Sequence, residues 1–324
     1  MATVVAGMAS SHAATFNDPS VWDEHRARNR QGYQRRYGVL PPEHPGIEGE
    51  TEEDVRTRYR RISDALGVLR ERLATSGAST LIMIGDDQNE NFSDTNLPQI
   101  AIYLGEEFVV RSRSGGDEAR YRGDPALAEA ILAACVESGI DMAAIRRFPD
   151  DTLLAHAFGP TLRVVDPAAR VAVVPIFVNA IHVPAPSPER CYAYGEAIRA
   201  GIARADHDQR VAVYASGGMS HFTAGYPWRH YHGPYTYGSI SEEFDRAIFA
   251  QMAAGEGRTL AALTNEEILA HGEIELRSWI ALHGVIGDAR PELLVYEPFY
   301  RAIQAMGVGY WDLGRLGHRQ QVGG

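Results

Sequence analysis

Short apolar runs that end abruptly in polar residues alternate along this chain with longer stretches of helical period. Thr3 to Ala9, Ser79 to Ile84, Val171 to Val178 and Val211 to Ala215 are runs of five to eight residues. They read as strands buried on both faces. Pro175 counts against a central place for the third of them. Ile100 to Leu104 and Phe108 to Arg113 read as two short strands paired with each other. From Thr51 to Leu73 the period changes: Val55, Tyr59, Ile62, Leu66 and Leu69 recur at three- and four-residue spacing. Thr51 caps that helix and acids fill its first turn. Pro125 to Gly139, Glu189 to Ala205, Ser241 to Ala253 and Glu273 to His283 read as further helices. The alternation predicts an α/β fold, one globular domain with a central mixed β-sheet flanked by helices and a site at the strand ends.

Three of the strands run directly into polar clusters. The first leads into Ser10-Ser11-His12, the second into Gly85-Asp-Asp-Gln-Asn-Glu-Asn-Phe92, and the strand at 211 into Gly217-Gly-Met-Ser-His221. Paired glycines suit a tight bend or a close ligand approach. His221 then reads either as a site residue or as a hydrogen-bonded histidine at a strand end. Three acids and three amides in the second loop exceed what a routine turn needs.

Two regions break the pattern. Residues 17–50 are basic, polar and proline-interrupted, a surface excursion that covers a site or meets another subunit. Residues 226–237 are rich in aromatics without period, suited to ligand stacking or to interface packing. The whole chain reads as one catalytic domain, 1–324, with an extension after about 285 and a tail that frays.

Composition narrows the classes. The chain has 324 residues, 45% hydrophobic and 23% charged, with a formal net charge of -11. That charge opposes general affinity for nucleic acid or an anionic membrane, and no run is long and apolar enough to cross a bilayer. The N-terminus lacks the basic flank of a secretory signal, so a cytoplasmic location is expected. Cys135 and Cys191 form neither a metal-binding pair nor a redox motif and read as core thiols.

His12, the 85–92 loop, His156, His221 and Glu275 are the candidate chemistry. Two imidazoles and a carboxylate can hold Fe(II) on one face and leave positions open for substrate and dioxygen. No local histidine pair supplies this, so such a site must be assembled from distant strands. Glu275 reads as a buried carboxylate in need of a cation, or as a solvated acid in a first helical turn.

The chain resembles the class III extradiol ring-cleavage dioxygenases, the superfamily of the protocatechuate 4,5-dioxygenase beta chain. The resemblance runs through Val5-Ala-Gly-Met-Ala-Ser-Ser-His12, Gly85 to Phe92, Leu154-Ala-His-Ala-Phe-Gly159 and Pro175 to Ala180. It continues through Pro184-Ala-Pro-Ser-Pro-Glu-Arg-Cys191, Ala215-Ser-Gly-Gly-Met-Ser-His221, Gly238 to Asp245 and Gly272 to Trp279. It implies iron, Fe(II), held by His12, Glu275 and a second histidine. This chain has Gln88 at that last position, so Gln88 is expected to ligate, with Glu90 and Asp87 as rivals, and the departure makes Mn(II) or another divalent ion the second choice. The resemblance further implies His221 as acid/base, His156 as a substrate-orienting histidine, and a small aromatic diol and O2 as reactants. It implies that the ring opens beside the diol.

The departure at Gln88 keeps two other readings open: different chemistry on a non-catechol substrate, and a non-catalytic binding or partner chain. Arg190, Arg229 and His230 are candidates for a substrate carboxylate. A homo-oligomer is expected, a homodimer first, and a small alpha-type subunit is a further candidate partner.

Overall fold

The computed structural model describes residues 2–12, 16–111, 118–148, 153–205 and 208–314. In it the apolar runs become the strands of one large sheet. β1 (Thr3–Ser10) is followed by α1 (Trp22–Tyr37), α2 (Glu52–Thr75), β2 (Thr80–Gly85), β3 (Ile100–Tyr103) and β4 (Glu107–Arg111). Next come β5 (Glu118–Arg122), α3 (Pro125–Glu137), β6 (Ala143–Ile145), α4 (Gly159–Val165) and β7 (Ala172–Val178). α5 (Pro188–Arg204) and β8 (Arg210–Ser216) lead to α6 (Glu242–Ala254), α7 (Asn265–Ala270) and α8 (Leu276–Ile286). β9 (Leu293–Phe299) and β10 (Gln304–Asp312) close the described chain.

Eight strands run in the order β6-β3-β7-β2-β8-β1-β10-β9. The four in the middle are parallel, and β3, β10 and β9 introduce antiparallel pairings, so the sheet is mixed as expected. Strand alternation splits the core in two. On β2, Ile82 and Ile84 pack with residues of α3, α5 and α8, while Leu81 and Met83 pack with residues of α2 and α4. Helices on both faces explain why the strand is buried at every position.

Local chemistry sets the helices. Thr51 caps α2 through a reciprocal pair: its Oγ1 accepts the Asp54 N–H at 3.1 Å, and Asp54 Oδ2 accepts the Thr51 N–H at 3.2 Å. α5 crosses α8 where both carry glycine. A Cβ on Gly284 would lie 2.1 Å from the Tyr192 carbonyl oxygen, and one on Gly195 2.0 Å from that of Ala281. The crossing needs both glycines.

Several expectations shift. β3 and β4 do not pair with each other; β3 enters the main sheet and β4 pairs with β5. The reason is burial, since β3 is buried at all four positions and β4 alternates. β7 is central despite Pro175, because β3 reaches only Ile176 to Val178 and Pro175 has a ladder neighbour on one side alone. α8 begins at Leu276, with Glu275 in the preceding cap position. The segment after 285 supplies β9 and β10, which lengthen the sheet beyond β1. The C-terminal residues expected to fray lie outside the described residues, as do the first residues of the stretch leading to His156.

The aromatic stretch packs upon itself. Phe222, Tyr226, Trp228 and Tyr231 pack ring against ring as a third, smaller core. α1 lies across it. Tyr33 meets the rings of Trp228 and Tyr237, Arg36 donates to the Ala224 carbonyl at 2.9 Å, and Tyr37 Oη donates to that of Tyr226 at 2.9 Å. The 17–50 excursion is thereby held over the carboxyl ends of the strands.

Candidate metal centre

Three neighbouring parallel strands deliver the site. β8 lies between β2 and β1, and the chain leaves all three at the same edge. β1 runs on through Ser11 to His12, β2 through Gly85 to Asp86, and β8 through Gly217 and Gly218 towards His221. Such a row of carboxyl ends is where open α/β sheets bind ligands. α8 brings the fourth contribution. Trp279 Nε1 donates to the Gly217 carbonyl at 3.0 Å, anchoring the start of α8 against the end of β8 and setting Glu275 beside it. The paired glycines serve this approach, for a Cβ on Gly217 would lie 2.5 Å from the Glu275 carbonyl oxygen.

His12, Asp86 and Glu275 converge, all buried, each with one ligand atom within 4.8 Å of the others. His12 Nε2 lies 3.5 Å from Glu275 Oε2 and 3.7 Å from Asp86 Oδ1. His12 Nδ1 is within 3.2 Å of Ser216 Oγ, which itself donates to the Ala157 carbonyl. Among the described residues, Asp86 Oδ1 is buried without a hydrogen-bond donor. Burial, reinforced by the negative charge of Glu275, pushes the Asp86 carboxyl well above the usual range. Burial would also raise Glu275, but His12, His221 and the Gly218 N–H outweigh it and hold that carboxyl well below. Two buried carboxylates this close need a proton or a cation between them. The orphan oxygen, the two carboxylates and the imidazole together fit a divalent cation.

Asp86 takes the place expected of Gln88. Gln88 donates its amide to Asp86 Oδ2 at 3.2 Å and to Glu275 Oε1 at 3.0 Å, so it binds the ligand carboxylates together. The physical reason is charge: a neutral amide beside two acids is drawn to donate to them. The two rivals are engaged elsewhere. Asp87 turns away and accepts four backbone N–H groups of its own loop, those of Asn89, Glu90, Asn91 and Phe92. Glu90 accepts the ring Nδ1 of His156 at 2.7 Å and its backbone N–H at 3.1 Å. Burial opposes the charge of Glu90, yet those bonds from His156 keep its carboxyl below the usual range.

The imidazoles surround the cluster. His156 packs edge-on against His12, ring centres 4.9 Å apart. His221 Nδ1 lies 2.6 Å from the Met219 carbonyl, which can only accept, so that nitrogen carries a proton. Its Nε2 then faces Glu275 Oε1 at 3.3 Å. Burial works against charge on His221, but the Glu275 carboxylate outweighs it and the imidazole is raised above its ordinary value.

A cavity of about 110 Å³ opens onto this group, lined by His12, Gln88, His156, His221 and Glu275 together with Asn29, Thr223 and Gln304. Arg190, Arg229 and His230 do not line it. All three are exposed, and Arg190 lies over the Tyr194 ring instead. Asp86 does not stand out in the sequence, where an imidazole donor or its nearest replacement is the expected ligand. Its signal was position, the first residue after a strand buried at every position. Asn29 and Gln304 gave no such signal, since α1 and β10 reach the cavity only through the tertiary fold.

A family model for the catalytic LigB subunit of aromatic ring-opening dioxygenase matches residues 44–309. The chain is similar to a 2,3-dihydroxyphenylpropionate/2,3-dihydroxicinnamic acid 1,2-dioxygenase of Paraburkholderia phymatum, 26% identical over 291 residues that cover 75% of this chain and 86% of that protein. It is also similar to a gallate dioxygenase of Pseudomonas putida, 28% identical over 170 residues, 51% of this chain and 46% of that one. The chain thus spans about half the length of this second relative. Among the described residues, no helix is long and apolar enough to cross a membrane.

Proposed function

Because the chain belongs to the LigB family, catalytic subunits of aromatic ring-opening dioxygenases, we propose that it opens a catechol-type ring beside its two hydroxyls, using O2 and a divalent cation held by His12, Asp86 and Glu275. At family level it is an enzyme of the extradiol ring-cleavage type acting on a small aromatic substrate. The observation that carries the proposal is the buried meeting of one imidazole and two carboxylates, of which His12 and Glu275 line the cavity. When bound, the cation supplies Lewis acidity toward two adjacent phenolic oxygens and a redox partner for dioxygen. Fe(II) is proposed first. Two carboxylates make a harder site than two imidazoles, and Mn(II) competes for it.

The chain's own residues handle the protons. His221 lines the cavity, its Nδ1 held by the Met219 carbonyl and its Nε2 beside Glu275 Oε1. We assign it the proton of a substrate hydroxyl, taken up as the diol binds and returned to the opening ring. His156 is oriented in the same way by Glu90 and faces the cavity from the opposite loop. Its assigned role is to position the ring and exchange protons at the mouth. Gln88 keeps Asp86 and Glu275 aligned, as hydrogen bonds to ligand carboxylates do in metal sites generally. A homo-oligomer remains the proposed assembly.

A second reading keeps the cation and changes the reaction, and the replacement of an imidazole by Asp86 favours it. Dioxygen uptake separates the two. Protein purified anaerobically and loaded with Fe(II) or Mn(II) is expected to consume O2 with a catechol and yield a coloured ring-opened product. Stoichiometric metal binding with no uptake across catechols and trihydroxybenzenes would select the second reading.

A further inference from the structure

Two amides besides Gln88, those of Gln304 and Asn29, line the cavity. Gln304 is the first residue of β10, and the neighbouring Ala305 N–H donates to the Ser220 carbonyl at 3.1 Å, which fixes Gln304 next to His221. Its Nε2 is buried and donates to nothing among the described residues. A buried N–H left without an acceptor is costly, and a ligand oxygen relieves that cost. Asn29 approaches from α1, outside the residues shared with the family model. Its Oδ1 already accepts the Ala224 N–H at 2.9 Å and the Tyr237 hydroxyl at 2.8 Å. That assignment leaves its NH2 as the group it offers to the cavity. Both side chains therefore present donors.

Charge limits what those donors meet. Among the described residues, no arginine or lysine lines the cavity. Two of its imidazoles, His156 and His221, each face a carboxylate, Glu90 and Glu275. Asp86 and Glu275 together balance the two charges of a divalent cation. A carboxylate on the substrate would enter with no counter-charge in a buried, acid-rich site.

Resting on the ring-cleavage reading above, we infer that Gln304 and Asn29 form a subsite for an uncharged oxygen substituent of the diol, a carboxamide, aldehyde or ketone, and select against a carboxylate there. The test compares 3,4-dihydroxybenzamide with 3,4-dihydroxybenzoate on the metal-loaded protein. Binding is read by anaerobic calorimetry and kcat/KM by oxygen uptake.

The benzamide is expected to bind at least about ten-fold more tightly, the scale of one buried hydrogen bond and an avoided charge. Gln304→Leu is expected to remove most of that preference. Gln304→Lys, which supplies the missing cation, is expected to move it toward the benzoate. An unchanged thermal response to metal identifies variants that have kept their fold. Equal or tighter binding of the benzoate to the parent protein overturns the inference, and leaves ring cleavage standing if both compounds are turned over. A benzamide preference with no oxygen uptake supports the subsite and overturns the ring-cleavage reading.

Discussion

Asp86 sits where the chain has just left a fully buried strand, with one carboxylate oxygen that meets no donor. A carboxylate in that position is stable only when neutralised, and Glu275 across from it makes the need greater. The neighbouring histidines differ in what they can do. His12 faces both acids, whereas His221 meets Glu275 alone and has its Nδ1 held by a carbonyl. Replacement of His221 by Asn is expected to lower kcat by about 10²- to 10⁴-fold, the usual range for a general acid/base. Metal content measured on the same sample should not change. A loss of metal together with activity would instead make His221 part of the metal's own support.

The elements that carry these residues depend on tight geometry away from the site. α8 delivers Glu275, and it meets α5 through Gly195 and Gly284. Gly284→Ala is expected to destabilise the protein by about 1–3 kcal/mol by overpacking that crossing. Denaturant unfolding checks it, and a neutral result would mean that the helices can separate freely. Strands β1, β2, β7 and β8 were legible because burial on both faces leaves a continuous apolar run, and α2 because its stripe and cap agree. β9 and β10 were not. β9 is only half-buried over much of its length and carries Pro298, and β10 contains two glycines, so neither shows a plain strand signature. The same holds at the site. His12 and Glu275 were legible through a family pattern, but the choice between Asp86 and Gln88 depends on which side chain the loop after β2 turns inward. Asp87 decides that by gathering four N–H groups to itself, and spacing alone cannot express it.

For the whole molecule, pH and metal are the two handles on stability. His283 is buried on α8 against Trp311, and burial lowers its pKa from 6.5 to about 4. The unfolded chain takes up a proton below pH 6.5, while the folded one resists until about 4. Stability is therefore lost as pH falls through that window. The contribution is about 2 kcal/mol between about pH 7 and pH 5, and His283→Phe should flatten the measured slope by that amount. An unaltered slope would show that other groups set it. Metal acts in the opposite sense, because a cation that binds only the folded chain raises its melting temperature by mass action. The most direct measurement is the melting temperature of metal-free protein titrated with Mn(II), or anaerobically with Fe(II), in parent, Asp86→Asn and Gln88→Leu forms. A saturable rise that Asp86→Asn abolishes and Gln88→Leu retains, with affinity weakened by about 10- to 100-fold, is the predicted result. A rise that survives in Asp86→Asn and vanishes in Gln88→Leu would contradict the account.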